Sequence, residues 1–405
     1  MTFLLHLEVV NTTHELVKTS QLRISGRKAL VLSLNYRQLV FQGEACPLSG
    51  YGRDSFSLAE NELRALNLPR LLGAIDEAVQ CLLHGELSSV VPSKSCGSGL
   101  HTGASGVSRG VSSLESVWNM SREFSSPSAR FCLEMLALEA IAQLSGNALP
   151  SLLHGGNRAP IYSLPTSAVV DIHVPDWLER MERATQKGVR TFKFKCGSGA
   201  DETESRALRQ TSERFGKSVN LRLDANRAWT VDDTLLFLER HQKIPLEFLE
   251  DPTSSPQEWD CLRASFPHLA LAVDEPLSFC EETLICQDLS EDNLYEERRQ
   301  FLLACHCQIA VLKPMALGGF SACLGWARAA DSLGLRVCIS HLFDGPLALD
   351  AATQLAFSIQ SPELAPGLGE HVALAGYIAG GISEPRYCQG GRLHMNSKES
   401  IPNLR

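Results

Sequence analysis

Five short apolar runs between residues 191 and 314 decide the fold of this chain: Thr191-Phe-Lys-Phe-Lys-Cys196, Leu221-Arg-Leu-Asp-Ala-Asn226, Glu247-Phe-Leu-Glu-Asp-Pro252, Leu271-Ala-Val-Asp-Glu-Pro276 and Ile309-Ala-Val-Leu-Lys-Pro314. Each run ends in charged residues that are followed by a turn or loop. Buried strands of a parallel sheet have this pattern when their carboxyl ends open onto a polar site. The runs therefore predict parallel strands whose ends share one site.

Side chains alternate along a strand, so the charged residues of these runs are predicted to point to the same side. Lys193 and Lys195 share one face of their strand, while Phe192 and Phe194 share the other. The same alternation groups the inward residues of the other four runs: Arg222 with Asp224, Phe248 with Glu250, Ala272 with Asp274, and Val311 with Lys313. Three carboxylates and three ammonium groups are thus expected to converge on one mouth.

Composition and charge exclude several classes of protein. The chain has 405 residues, of which 44% are hydrophobic and 20% charged, and its net charge is -9. These values are typical of a soluble globular protein with one large and one smaller domain. The negative charge and the lack of Lys/Arg-rich runs argue against a nucleic-acid partner. No apolar run reaches the roughly 18 residues of a membrane span, and the segment from Met1 to Val10 is too short for a secretory signal and lacks its basic start.

The cysteines favour a reducing compartment. The chain has 13 cysteines, which are scattered along it and through its predicted helices and strands. Cys305-His306-Cys307 is the nearest approach to a metal cluster, but no second pair follows at zinc-finger spacing. Buried free thiols in the cytoplasm are the simpler interpretation, and we therefore expect a cytoplasmic protein.

The first 150 residues predict an N-terminal α+β domain. Residues 3–10, 29–34 and 38–45 have the pattern of antiparallel strands, and a loop at 46–57 leads to a helix that begins near Leu58. Residues 68–83 and 127–144 have the apolar spacing of helices. Between about 85 and 126 the composition becomes rich in Ser and Gly, which predicts a long loop or a poorly ordered insertion.

From 151 to 370 predicted strands and helices alternate, which indicates right-handed βαβ units and a parallel sheet. Strands near 162–170 and 364–368 bring the predicted total to eight. Eight is the strand count of a closed β/α barrel, whose active site lies at the carboxyl ends of the strands. Residues 371–405 are predicted to form a tail that returns to the N-terminal domain.

Asp224, Glu250 and Asp274 are candidate metal ligands. They lie 26 and 24 residues apart, about one βα repeat each, so they are expected to end three successive strands. Carboxylates held together repel one another and need a cation. Hard oxygen ligands with open positions suit Mg²⁺, which is the predicted cofactor.

Lys193, Lys195 and Lys313 are candidate catalytic residues. Two neighbouring ammonium groups disfavour each other's charge, which lowers the pKa of one of them. A lysine tuned in this way can act as a base near neutral pH. The predicted chemistry is removal of a proton next to a carboxylate, with the metal neutralising the enediolate that forms.

These runs resemble those of the enolase superfamily, and within it the muconate-lactonizing-enzyme-like subgroup. The resemblance covers most of the chain and implies a β/α barrel with an N-terminal capping domain that includes the loop at 46–57. It implies that Lys195 and Lys313 flank a small-molecule carboxylate substrate. It also implies that Asp224, Glu250 and Asp274 bind Mg²⁺.

The run from Leu221 to Thr230 is similar to that of o-succinylbenzoate synthases, which dehydrate a cyclohexadiene carboxylate in menaquinone or phylloquinone synthesis. This similarity implies that Lys195 is the acid–base group and that Lys313 stabilises the anionic intermediate. Arg222 and Asn226 match family residues beside the first metal ligand and are assigned to substrate contact. Ser340 and His341, at the end of the predicted seventh strand, are assigned to the same role.

Three features depart from the family pattern and keep alternatives open. Insertions occupy about 85–126 and 280–305, and a histidine at position 341 resembles mandelate racemases. Those racemases pair the histidine with an aspartate where this chain has Lys313, so His341 is interpreted as a substrate contact or a structural residue. An N-acylamino acid racemase or another epimerase is the alternative function. A binding protein built on an inactive barrel is a third hypothesis.

Overall fold

The computed structural model describes residues 4–18, 23–36, 38–83, 112–154, 163–197, 202–285, 287, 290–369, 371, 374, 388–389 and 392–394. Its first element is an antiparallel sheet of three strands in chain order: β1 (Leu4–Lys18), β2 (Arg23–Tyr36) and β3 (Leu39–Ala45). The predicted strands are present, and β1 and β2 are longer than predicted. Their pairing continues through the polar residues 11–13, which show no apolar alternation that a sequence pattern could detect.

Five helices follow this sheet: α1 (Phe56–Arg64), α2 (Leu68–Leu83), α3 (Ser112–Arg122), α4 (Pro127–Ser145) and α5 (Leu149–His154). Helix α4 packs against β3 on one side and against barrel helices on the other, which explains its apolar surface all round. Its N-cap is Ser126, whose side chain accepts the N–H of Ala129, and its C-cap is Gly146 at φ 70°. The predicted helices at 68–83 and 127–144 are confirmed.

The loop predicted for 85–126 is wrong over its last part, where α3 forms. Leu114, Val117 and Trp118 stand at helical spacing and are buried against the neighbouring helices. The Ser/Gly-rich composition of the longer segment concealed this short amphipathic pattern. Residues 85–111, which make up most of the predicted insertion, lie outside the described residues.

A curled parallel sheet of seven strands forms the second part of the fold, in the order β11-β10-β9-β8-β7-β6-β5. Its strands are β5 (Ser167–Val170), β6 (Thr191–Lys195), β7 (Asn220–Asp224), β8 (Phe248–Glu250), β9 (Leu271–Val273), β10 (Ile309–Leu312) and β11 (Arg336–Ile339). The connecting helices are α6 (Trp177–Gln186), α7 (Glu202–Phe215), α8 (Val231–His241), α9 (Asp260–Ser265), α10 (Glu275–Ile285), α11 (Glu291–Ala304), α12 (Pro314–Leu317), α13 (Phe320–Ser332) and α14 (Pro346–Ile359). The predicted capped β/α-barrel fold is confirmed.

The eighth strand predicted near 364–368 is not a regular strand. The segment nevertheless contacts both edges of the sheet, because Ser167 N–H donates to Pro366 O at 3.1 Å and Gly367 N–H donates to Ile339 O at 2.8 Å. Pro366 has no N–H to donate, so a regular ladder cannot form through it. The segment closes the curled sheet with single hydrogen bonds instead.

Two remaining segments lie around the barrel. The insertion at 280–305 includes the end of α10 and all of α11, and α11 packs against α13. A short sheet joins β4 (Ser163–Pro165) to β13 (Arg392–His394), which also pairs with β12 (Cys388–Gln389). The described part of the tail thus pairs with β4, and the predicted domain boundaries stay a prediction. In the part of the chain that the structure describes, no helix has the length and apolar character needed to cross a membrane.

Candidate active site

Three neighbouring strands bring their charged ends to one level of the sheet. In the parallel register Lys195 of β6 lies beside Asp224 of β7, and Asp224 lies beside Glu250 of β8. One layer below, Arg222 lies beside Phe248. Because inward side chains recur at every second residue, the polar site covers an apolar barrel interior. That interior is a cluster of Phe248, Ala272, Ile309, Val311, Cys338 and Leu364.

Six charged side chains meet at this level, as the sequence predicts. We refer to Asp224, Glu250 and Asp274 as the carboxylate cluster and to Lys193, Lys195 and Lys313 as the lysine group. Lys193 Nζ lies 2.8 and 3.1 Å from the two oxygens of Glu250 and 3.2 Å from Asp224 Oδ2. Lys195 Nζ lies 2.5 Å from Asp224 Oδ2 and 3.2 Å from Asn226 Oδ1. Lys193 therefore bridges two carboxylates, whereas Lys195 contacts one.

The third carboxylate has partners from the barrel and from the N-terminal part of the chain. Lys313 Nζ forms an ion pair with Asp274 Oδ2, and Tyr51 Oη donates to Asp274 Oδ1 at 3.3 Å. Lys313 Nζ also lies 3.5 Å from Tyr51 Oη and 5.1 Å from the centroid of its ring. Tyr51 belongs to the loop between β3 and α1, so the predicted cap loop completes the site.

Burial and mutual repulsion act on the carboxylate cluster, and the lysine group opposes them. Burial, followed by the charge of Asp224, raises the pKa of Glu250 to about 8, although Lys193 acts in the opposite direction. Burial also acts upward on the pKa of Asp224, but Lys195 and Lys193 hold it well below the usual range. Burial acts downward on the pKa values of Lys193 and Lys313, yet the carboxylates leave both above the ordinary value. The lowering expected from neighbouring ammonium groups is therefore outweighed at Lys193.

A second layer of polar residues supports the carboxylate cluster. Asp251, which is fully buried, accepts the N–H groups of Asp274 (3.1 Å) and Glu275 (2.8 Å). Glu275 in turn accepts from Asn226 Nδ2 at 3.2 Å and from Arg227 Nε at 2.8 Å. Sequence reasoning did not assign Asp251, Glu275 or Arg227. The first two directly follow Glu250 and Asp274 in the chain, which is a signal that the quoted runs already contained.

A cavity opens above this layer. Its polar lining includes Lys193, Lys195, Lys313, Asn226, Arg227, Glu275, Ser340 and His341. Its apolar lining includes Leu48, Val169, Phe279, Leu342 and Phe343, with Tyr51 beside them. Phe279 comes from α10, one residue before the predicted insertion at 280–305, and Tyr51 comes from the loop between β3 and α1. No local pattern in the sequence marks either residue as part of the site.

The turn after β11 fixes the orientation of His341. The N–H of Phe343 donates to His341 Nδ1 at 2.8 Å, so the proton of the neutral ring is on Nε2. Burial, followed by the neighbouring His371, holds the pKa of His341 well below its usual value. The two imidazole rings stack with centroids 4.5 Å apart. His341 therefore offers the cavity a neutral hydrogen-bond donor, and Ser340 lies beside it.

Arg222 does not line the cavity, unlike the other residues assigned to substrate contact. It is buried in the barrel interior, where its Nη1 donates to Ala365 O at 2.7 Å and its Nε pairs with Glu247. Its guanidinium lies 4.6 Å from the centroid of the Phe248 ring. These contacts hold the Arg222 side chain within the barrel interior. A contact between Arg222 and the substrate stays a prediction.

The donor set has the chemistry that Mg²⁺ uses, because it consists of hard carboxylate oxygens from three adjacent strand ends. The three carboxylates are buried and each is paired with an ammonium group, so the cluster is a place where positive charge is held. Among the residues described, no group of three His, Cys, Asp or Glu side chains is close enough to hold a metal, and Lys193 lies between two of the carboxylates. The three carboxylates suit Mg²⁺ in type and number. To coordinate the ion, their oxygens have to give up the hydrogen bonds that they now make with the lysine ammonium groups.

Comparisons with known proteins point to one superfamily. A family model described as Enolase C-terminal domain-like matches residues 176–387, just over half of the chain. The o-succinylbenzoate synthase of Desulfotalea psychrophila is 26% identical over 256 residues, which cover 62% of this chain and 64% of that protein. The L-Ala-D/L-Glu epimerase of Bacillus subtilis is 24% identical over 236 residues, which cover 57% and 59%. The chain thus spans about three fifths of the length of these curated relatives.

A solved structure supports the fold. The dipeptide epimerase from Methylococcus capsulatus, complexed with Mg and the dipeptide L-Arg-D-Lys, matches with a TM-score of 0.69 and 20% identity, covering 98% of this chain and 97% of that one. The predicted resemblance is confirmed by the family match, which includes all six charged residues at the strand ends and the turn at His341. From its sequence, its curled parallel sheet and its charged strand ends, the chain belongs to the Enolase C-terminal domain-like family of the enolase superfamily.

Proposed function

We propose that this protein is a Mg²⁺-dependent o-succinylbenzoate synthase. It would dehydrate 2-succinyl-6-hydroxy-2,4-cyclohexadiene-1-carboxylate to 2-succinylbenzoate in menaquinone or phylloquinone synthesis. The observation that carries the proposal is the arrangement of Lys195 and Lys313, which approach the carboxylate cluster from different strands and both line the cavity. The similarity to the synthase of Desulfotalea psychrophila supports it.

The carboxylate cluster is the part of the chain that would hold Mg²⁺. When bound, the ion supplies positive charge to the carboxylate of the substrate as an enediolate develops. Asp251 and Asn226 keep the cluster in place, since Asp251 accepts the backbone N–H of Asp274 and Asn226 N–H donates to Asp224 Oδ1 at 3.0 Å. These fixed hydrogen bonds reduce the rearrangement that the site needs during the reaction.

Lys195 is the proposed acid–base group. Its side chain is 16% exposed and faces the cavity, whereas Lys193 is 9% exposed and occupied by both oxygens of Glu250. In its neutral form Lys195 removes the proton next to the substrate carboxylate. It then returns that proton to the departing hydroxide, so that water leaves and the ring becomes aromatic. One residue suffices because both events take place on the same face of the ring.

Lys313, Ser340 and His341 would stabilise and orient the substrate. Lys313 lines the cavity beside Asp274 and Tyr51, so its ammonium group can offer positive charge to the anion that forms. His341 presents Nε2–H to the cavity, which suits a carbonyl or carboxylate oxygen. Because its Nδ1 already accepts a backbone N–H, His341 is poorly suited to serve as a second base.

An epimerase or N-acylamino acid racemase is the second candidate function. Two lysines that reach the cavity from different strands are the arrangement that two-base chemistry needs. The similarity to the L-Ala-D/L-Glu epimerase of Bacillus subtilis favours it. Two-base chemistry requires each lysine to lose its proton, and each is paired with a carboxylate, Lys195 with Asp224 and Lys313 with Asp274.

Activity and proton exchange in the lysine variants would separate the candidates. Purified wild-type protein with Mg²⁺ should dehydrate the cyclohexadiene. The Lys195→Ala variant should lose both dehydration and exchange of the α-proton with D₂O. The Lys313→Ala variant should dehydrate the substrate much more slowly than wild type. The exposed Lys217→Ala is the matched control and should retain wild-type rates.

If folded wild-type protein does not dehydrate the substrate, the synthase assignment is wrong. If each lysine variant instead exchanges the α-proton of only one enantiomer of an N-acylamino acid, both lysines act as bases. That result would support the racemase function. Absence of every one of these reactions would support a binding protein on an inactive barrel.

A further inference from the structure

The mouth of the cavity carries a guanidinium group that the proposed acid–base chemistry does not use. Arg227 lines the cavity and lies in the turn after β7, three residues beyond the last strand residue, Asp224. Arg227 (φ 61°) and the preceding Asn226 (φ 46°) both have left-handed backbone conformations, which residues other than glycine rarely adopt. Arg227 N–H donates to Asp251 O at 2.7 Å, which holds this turn. Strained backbone of this kind is concentrated at functional sites.

The guanidinium of Arg227 is held in one orientation. Its Nε donates to Glu275 Oε2 at 2.8 Å, and its Cζ lies 4.7 Å from the centroid of the Phe279 ring. The side chain is 22% exposed. Among the described residues the Nη1 and Nη2 groups have no hydrogen-bond partner, and they are not sealed from solvent. An arginine thus fixed by one carboxylate and one aromatic ring presents the free edge of its fork to a ligand.

We propose that Arg227 forms a subsite for a second carboxylate, so that the substrates of this protein are dicarboxylates. A planar guanidinium binds a carboxylate through two parallel hydrogen bonds. One carboxylate of the substrate would bind at the floor of the cavity, beside the lysine group and the carboxylate cluster. Arg227 would bind the other carboxylate at the mouth. Phe279 and Val169, which are 38% and 40% exposed, offer apolar surface to the carbon chain between the two charges.

This inference rests on the proposed function and narrows its substrate class. The succinyl side chain of the proposed substrate ends in a carboxylate, as do N-succinyl amino acids. Simple N-acetyl amino acids lack that group, and substrates with a cationic side chain would be repelled by the guanidinium. The subsite therefore favours succinyl compounds whichever of the two candidate reactions the lysines perform.

Binding of a matched pair of ligands tests the subsite without requiring turnover. The ligands are 2-succinylbenzoate and 2-butanoylbenzoate, in which a methyl group replaces the terminal carboxylate, each titrated calorimetrically with Mg²⁺ present. Wild-type protein should prefer the dicarboxylate by about 10- to 100-fold, the range expected for hydrogen bonds to a charged group. Arg227→Gln should lose most of this preference, and Arg227→Lys should retain part of it because it keeps the charge without the fork.

Arg214→Gln is the matched control, because Arg214 is an exposed arginine on α7 that also pairs with a glutamate. It should keep the wild-type preference. A purely structural role of Arg227 would weaken both ligands equally and leave the ratio unchanged, which would overturn the proposal. Equal binding of the two ligands by wild-type protein, or no binding of the dicarboxylate at millimolar concentration, would also overturn it.

The subsite and the proposed reaction can fail separately. If the protein does not dehydrate the cyclohexadiene but Arg227→Gln still loses its preference for the dicarboxylate, the synthase assignment fails and the subsite stands. If dehydration occurs and both Arg227 variants keep the wild-type ratio, the synthase assignment stands and the subsite is wrong.

Discussion

Glu44 provides a test of how the N-terminal sheet is joined to the barrel. This residue lies near the end of β3, is fully buried, and accepts the N–H groups of Gly345 (2.7 Å) and Ala348 (3.3 Å) at the first turn of α14. Burial, followed by the charge of Asp344, raises the pKa of Glu44 from 4.5 to about 7. The perturbation we consider is Glu44→Gln, which removes the titrating group and preserves its size.

The sign of the effect follows from where the proton is bound. Between pH 4.5 and about 7 the folded protein keeps a proton on Glu44 that the unfolded chain has lost, so stability falls as pH rises through this window. Above pH 7 the loss is complete and amounts to roughly 3 kcal/mol, at about 1.36 kcal/mol for each pH unit between the two pKa values. The Glu44→Gln variant lacks this pH-dependent loss of stability. Asp344, whose pKa burial raises to about 6, is present in both proteins, so the difference between them reports Glu44 together with its interaction with Asp344.

Urea unfolding at pH 4.5 and pH 8, followed by tryptophan fluorescence, measures the effect. The free energy of unfolding of Glu44→Gln relative to wild type should shift in favour of the variant by about 3 kcal/mol between the lower and the higher pH. Glu60→Gln is the control, because Glu60 is on the surface of α1 in an ion pair with Arg64, and its relative stability should change little. If the free energy of unfolding of Glu44→Gln differs from that of wild type by the same amount at both pH values, the reasoning is refuted.

Three further predictions concern the site and its surroundings. Replacing any member of the carboxylate cluster by its amide should abolish Mg²⁺ binding and activity while the circular dichroism spectrum stays unchanged; activity retained in two of the three variants would refute the metal site. Tyr51→Phe removes the hydroxyl that contacts Asp274 and Lys313, so kcat should fall about tenfold with a smaller change in KM, and an unchanged kcat would contradict the contact. Arg298→Ala leaves the buried Glu281 without its bidentate partner, so the free energy of unfolding should fall by about 3 kcal/mol or more, and a loss below about 1 kcal/mol would show that the pair is not buried in solution.

The barrel strands could be predicted from the sequence because each is a short apolar run with a charged end. Lys195, Asp224 and Glu250 were expected at one level, and the register places them there. Helix α3 was missed because its few apolar positions follow a Ser/Gly-rich segment. The closing segment at 364–368 was predicted as a regular strand although it contains Pro366, which lacks the N–H that a hydrogen-bond ladder needs.

By itself, the sequence determined the alternation of strands and helices and the inward direction of six charged side chains, because both depend on local periodicity. Only the tertiary structure decided which partners these side chains have. Tyr51 and Phe279 reach the cavity from a distant loop and from helix α10, and Arg222 lies below the cavity in the barrel interior. The balance of charges also depends on distances, because burial and the lysine group act on the carboxylates only through space.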